Sequence, residues 1–124
     1  MGLDQYAFIK GKESSDIKDA TEIAYWRKHN RLQGWMEALW VKKGNTDEFN
    51  CKRLYLVPED IDALEKDIAN RKLPMTEGFF FGRDSYDYDG EEGNYYEYEK
   101  DIAFVERAKE AFVNGDEVFY SCGW

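Results

Sequence analysis

Seven consecutive residues, Tyr25, Trp26, Arg27, Lys28, His29, Asn30 and Arg31, hold the densest set of chemistry-bearing side chains in the chain. They combine two aromatic rings, three fixed cations and the single histidine. An anion is the ligand such a set suits. The free N–H groups and the dipole at a helix N-terminus favour negative charge, and arginine grips phosphate or carboxylate with two parallel hydrogen bonds. Tyr25, Trp26, Arg27, His29 and Asn30 are therefore the candidate ligand-binding residues, for a phosphate, a nucleotide or another small anion, with a small enzyme as the extension of that reading. The competing reading pairs these cations with the acidic stretch 84–99 across the fold, or leaves them solvated.

His29 and Cys51 are the one nucleophile–base combination available, as a thiolate–imidazole pair. Such a thiol needs exposure and a lowered pKa; the flanks of Cys51 signal neither, and cysteine at a strand start serves more often as a small core hydrophobe. No catalytic residue is assigned. The stretch 84–99 carries seven acids and five tyrosines. In a calcium-loop register with Gly90 as the turn glycine, Asp87 and Asp89 fall at positions three and five, but Ser85 and Tyr96 occupy one and twelve, where carboxylates belong. One histidine excludes a two-histidine metal site within the chain. No metal and no cofactor are expected. No phosphate-cradling glycine loop, dinucleotide fingerprint, HExxH, CxxC or GxSxG occurs.

The elements that must position these residues follow from periodicity. Leu3–Lys10 alternates and reads as a strand, with Leu3, Gln5, Ala7 and Ile9 on one face. Residues 11–20 read as a loop. Ile23–Trp26 fits either a short strand or a first helical turn. From an N-cap at Asn30, the spacing of Leu32, Trp35, Met36, Leu39 and Lys43 predicts an amphipathic helix, closed by Gly44 and expected to be the element on which the rest packs. Cys51–Val57 reads as a second strand. Pro58 opens a second helix, with Glu59 and Asp60 in its first turn and Ile61, Leu64 and Ile68 as its stripe. A third helix begins between Gly93 and Tyr96, presents Tyr98, Ile102, Val105, Ala108 and Phe112, and stops at Asn114-Gly115. Glu117–Cys122 is the third strand, expected to pair with the first. The fold class that follows is α+β: one domain, 1–124, with a three-stranded, mainly antiparallel sheet packed with three helices on one face.

With 124 residues the chain is one domain by size and long enough to bury roughly two-thirds of its unfolded surface without a disulfide or metal. The net charge of −9 opposes direct binding to nucleic-acid phosphates or an anionic membrane. No secretory leader and no apolar membrane-length run is read, so a cytoplasmic location is expected, with both cysteines as free thiols. Aromatics reach 17%, an excess that needs a core or an interface to hold it. Phe79, Phe80 and Phe81 cannot all point one way, and with Tyr86, Tyr88 and Tyr95 they form the candidate interaction surface.

The blocks MGLDQYAFIK, EIAYWRKHNRLQGW, Asn50-Cys51, LPMTEGFFFG, SYDYD and VFYSCGW, in that order and spacing, resemble a family of small uncharacterised bacteriophage, prophage and bacterial proteins. The departures are Gln5, where the family often has a bulkier residue, and the SCGW ending in place of a more polar one. The resemblance implies phage or prophage origin and no nameable activity. The leading expectation is a non-enzymatic phage-type accessory protein that binds a host or phage protein. The alternatives are the small-anion site above, and an acidic decoy that mimics DNA through the carboxylates of 84–99.

Overall fold

The computed structural model describes residues 3–11, 19–27, 29–74 and 98–124. In chain order they form β1 (Asp4–Gly11), β2 (Thr21–Trp26), α1 (Asn30–Lys42), β3 (Arg53–Leu56), α2 (Pro58–Ala69), α3 (Tyr98–Val113) and β4 (Asp116–Gly123). The strands make one antiparallel sheet in the order β2-β1-β4-β3. The class is α+β as expected, and β4 pairs with β1 along its whole length. The sheet has four strands rather than three. The extra one is β2, the segment that read equally as strand or helical turn. Its register on β1 steps from Ala7↔Ala24 to Phe8↔Glu22, so Ile23 is an extra residue in a bulge. A bulge resets the in–out alternation, and period-two patterning cannot be read through it.

The pairing divides the sheet residues into two faces. Gln5, Ala7, Trp26, Leu54, Leu56, Val118, Tyr120 and Cys122 face the helices, and all are buried. Tyr6, Phe8, Lys10, Tyr25, Arg53, Tyr55, Phe119 and Ser121 alternate with them and lie on the other face. The main core joins the first set to Leu32, Met36 and Trp40 of α1, Ile61, Leu64 and Ile68 of α2, and Phe104, Val105, Ala108 and Ala111 of α3.

Two expectations for the helices change. The close backbone approach to β4, β2, β1 and α2 is made by α3, so α3 rather than α1 is the element around which the helical layer is built. Within α1, Trp35 and Leu39 are only partly buried, and Leu32, Gln33, Met36 and Trp40 point deepest. The buried stripe of α3 is Asp101, Phe104, Val105, Ala108 and Ala111, while Tyr98 is 42% exposed. Admitting an acid to the stripe turns the helix away from its apparent apolar face. The helix stops behave as expected: Gly44 and Gly115 take φ of 94° and 81°, a region closed to most side chains.

The helices are tied to each other by polar contacts at their rims. Trp35 Nε1 donates to Asp67 of α2 at 2.8 Å. Lys43 Nζ bridges Asp60 and the Tyr55 carbonyl at 2.7 and 2.9 Å, which also covers one backbone acceptor of the edge strand β3. Asp60 in turn accepts the Val57 N–H at the start of α2. Among the described residues no helix is long and apolar enough to cross a membrane.

Candidate functional site

The candidate anion residues do not form one cluster. Tyr25 and Arg27 lie on the outer side of the sheet, where both address Asp4: Tyr25 Oη donates to its carboxylate at 2.7 Å and Arg27 lies 3.6 Å away. That carboxylate holds the Tyr25 phenol above its ordinary value, mainly by accepting its proton in a hydrogen bond. Trp26, His29 and Asn30 face inward and are buried. Lys28, between Arg27 and His29, and all of Phe79, Phe80, Phe81, Tyr86, Tyr88 and Tyr95 lie outside the described residues, as does the calcium-like stretch 85–96.

Inside the fold His29 caps α1, one residue before the expected Asn30. Its Nδ1 accepts the Leu32 N–H at 3.4 Å, so the ring hydrogen sits on Nε2, which faces Asp101 Oδ2 at 2.7 Å. Asp101 Oδ1 accepts from Trp26 Nε1 at 2.8 Å. One carboxylate thus ties β2, the α1 N-terminus and α3 together. The Trp26 ring meets Phe104 edge-on, with centroids 5.5 Å apart and planes at 88°, a geometry that adds about 0.5–1.5 kcal/mol beyond area burial.

Gln5 serves the backbone of His29 from β1. Its Oε1 accepts the His29 N–H at 2.6 Å and its Nε2 donates to the His29 carbonyl at 2.9 Å. The same Nε2 donates to Tyr120 Oη at 2.9 Å, and Tyr120 Oη donates to Gln33 Oε1. Gln33 Nε2 then reaches Cys122 Sγ at 3.4 Å, and that thiol points at the Phe49 carbonyl at 3.7 Å. Burial pushes the Tyr120 phenol well above its ordinary value and the Cys122 thiol up to about 12. Both therefore act as neutral hydrogen-bonding groups. Every member of this chain, from Trp26 and Asp101 to Cys122, is closed to solvent. A general base or nucleophile must reach its substrate, so the chemistry of the network is to satisfy and orient buried groups.

The two thiols do not meet. Cys122 Sγ points to the helix side, whereas Cys51 Sγ lies 3.8 Å from where a Cβ on the next residue, Gly123, would stand. Successive strand residues face opposite ways, so the sulfurs are on opposite sides of β4, and both cysteines are free. Cys51 is exposed and its hydrogen bonds run to Asn50 and Cys122, with none to His29. We expect a thiol-specific chromogenic reagent to count one reactive cysteine in the native chain and two in denaturant. Two fast thiols before unfolding would contradict the burial of Cys122.

The surface feature that sequence reading missed is the outer face of the sheet. Tyr6, Phe8, Tyr25, Tyr55 and Phe119 form one connected set of rings. Centroids are 5.2 Å apart for Tyr6–Tyr25, 6.1 Å for Tyr6–Phe8, 5.1 Å for Phe8–Phe119 and 5.3 Å for Phe119–Tyr55. The alternation in β1 placed Tyr6 and Phe8 together; β2 and β3 then bring in Tyr25 and Tyr55. A cleft of about 450 Å³ opens beside them, with Cys51, Arg53 and Ser121 in its wall. Among the described residues no group of three His, Cys, Asp or Glu side chains could hold a metal ion.

No protein-family model matches the chain, and neither the curated proteins nor the solved structures include a significant match.

Proposed function

We propose that the chain is a non-enzymatic accessory protein of the phage type, which works by holding a host or phage protein against the outer face of its sheet. The observation that supports this is the ring set Tyr6, Phe8, Tyr25, Tyr55 and Phe119 on the face opposite the main helical core. Tyr25 and Tyr55 remain 39% and 43% exposed. Rigid aromatic side chains lose little conformational freedom on binding and dominate the energetic centres of protein interfaces. The buried His29–Asp101 network supports the non-enzymatic half of the reading, because its polar groups are consumed by one another.

Site-specific photo-crosslinking tests the role. The photoreactive residue p-benzoylphenylalanine is placed at Tyr25 or Tyr55, and at Lys66 on the exposed side of α2 as a control. In bacterial host lysate, with and without phage proteins, the same polypeptide is expected to be captured from Tyr25 and from Tyr55. Capture from Lys66 should be absent, and excess unmodified chain should compete. Adducts from Lys66 alone, or none from either tyrosine, would remove this face as the working surface.

A further inference from the structure

We infer that the cleft beside the ring set is an anchoring pocket for an acidic–apolar peptide segment of the partner, with a large apolar side chain against the half-buried Tyr6 and Phe8 and a carboxylate on Arg53. This assignment rests on the docking face proposed above and adds the chemistry that the partner must carry.

Charge is what selects the occupant. The chain carries −9 overall, yet among the described residues lining this cleft there is no carboxylate and Arg53 is the one fixed charge. The neighbouring cations are otherwise engaged: Arg27 with Asp4, Lys10 with Glu117 and Lys52 with Asp47. Among the described residues no carboxylate lies within ion-pair distance of Arg53 and none makes a hydrogen bond with its side chain. It stands opposite Ser121 in the sheet register. The Ser121 hydroxyl donates to the Lys52 carbonyl at 3.1 Å, which leaves its oxygen able to accept a peptide N–H.

The walls set the rest. Phe8 and Phe119 stack at 5.1 Å with an interplanar angle of 22°, and Phe119 is only 2% exposed, so an entering group meets the rims of packed rings rather than a hole to be opened. A cleft of about 450 Å³ lies in the size range of ligand pockets, roughly 300–1,000 Å³, and takes one or two side chains rather than a folded domain. The planar guanidinium of Arg53, exposed beside this apolar wall, is suited to a carboxylate held by two parallel hydrogen bonds, a contact that in solvent contributes a few-fold in affinity.

The test uses the full, isotope-labelled chain and defined probes, followed by amide chemical shifts. N-acetylphenylalanine supplies a ring and a carboxylate. Its amide and phenethylamine keep the ring and replace the charge by none or by a cation. Adenosine monophosphate is the nucleotide arm. N-acetylphenylalanine is expected to shift residues around Tyr6, Phe8, Arg53 and Ser121 and to bind about fivefold more tightly than either ring control. Arg53→Gln should bring it down to the level of its amide without moving the thermal midpoint.

Equal affinity for the acid, the amide and the amine would overturn the assignment. So would an unchanged affinity in Arg53→Gln, shifts centred elsewhere, or the absence of saturable shifts. Tighter binding of adenosine monophosphate at these residues would replace the peptide by a nucleotide. If the crosslinks from Tyr25 and Tyr55 persist while the probes fail, the docking face stands and only the anchor falls. If both fail, the face itself is withdrawn.

Discussion

Asp101→Ala is expected to lower the stability of the folded chain by about 3–5 kcal/mol, the range for leaving one side of a buried polar or ionic contact unpaired. Asp101 is 1% exposed and takes two donors, Trp26 Nε1 at 2.8 Å and His29 Nε2 at 2.7 Å. Alanine leaves both donors buried without that acceptor, each at a cost of roughly 1–3 kcal/mol, and adds a small void. The loss also propagates. With its ring no longer held, His29 caps α1 poorly, at a further cost of around 1 kcal/mol. Against a typical total stability of about 5–15 kcal/mol, the thermal midpoint should fall by roughly 10–20 °C. The surface pair Lys109–Glu65, although equally short at 2.7 Å, lies in solvent, where screening leaves it contributing far less than the buried contact. Thermal and urea unfolding of Asp101→Ala and Glu65→Ala, measured together, test the ranking. A loss below about 1 kcal/mol for Asp101→Ala would show that the carboxylate is not the joint between β2, α1 and α3.

The residues that make this joint explain how much of the fold can be read from sequence. Local periodicity was enough for β1, for the start and stripe of α2, and for the glycine stops at Gly44 and Gly115, because each depends on neighbours a few residues away. It failed where a polar side chain is buried by a distant partner. Asp101 lies 72 residues from His29 and 75 from Trp26, so nothing nearby explains an acid in the middle of an apolar stripe. Excluding it steered the face of α3 toward Tyr98 and Ile102. Spacing could not correct this, because Asp101, Phe104, Val105, Ala108 and Ala111 cover a helical arc as narrow as that of the stripe that begins at Tyr98, and apolarity alone favoured the latter. The basic island was misleading for a related reason. Arg27 and His29 are two residues apart, but the change from strand to helix sends one to Asp4 on the outer face and the other to Asp101 inside. The outer ring set was half legible. Tyr6 and Phe8 share a face by alternation, whereas the bulge at Ile23 hides Tyr25, and Phe119 joins them only through the pairing of β4 with β1.

Gln5→Glu should be a folded protein in acid and a strongly destabilised one at neutral pH. Gln5 was legible as an inward residue, between Leu3 and Ala7, and stood out as the departure from a bulkier side chain. Its role depends on having one acceptor and one donor. Oε1 takes the His29 N–H at 2.6 Å, while Nε2 gives to the His29 carbonyl at 2.9 Å and to Tyr120 Oη at 2.9 Å. Glutamate has the same shape. When protonated it keeps one acceptor and one donor and can reproduce the two-point clasp on His29. When ionised it has acceptors only. One carboxylate oxygen then faces the His29 carbonyl, and a charge sits at a position with 0% exposure. Desolvation and that repulsion both raise the folded-state pKa above the unfolded value of about 4.3. The sign follows from linkage. The unfolded chain releases this proton at lower pH than the folded one, so the stability that the protonated carboxyl supports is fully present below about pH 4 and is lost as pH rises through the raised folded value. The gap between Gln5→Glu and the unsubstituted chain should be within about 1 kcal/mol near pH 4 and reach about 3–5 kcal/mol at pH 7. Urea unfolding of both chains across that interval measures it. A gap that stays constant, or that closes as pH rises, would mean that Gln5 is not clasping the His29 backbone and that the α1 N-terminus is held to β1 by packing alone.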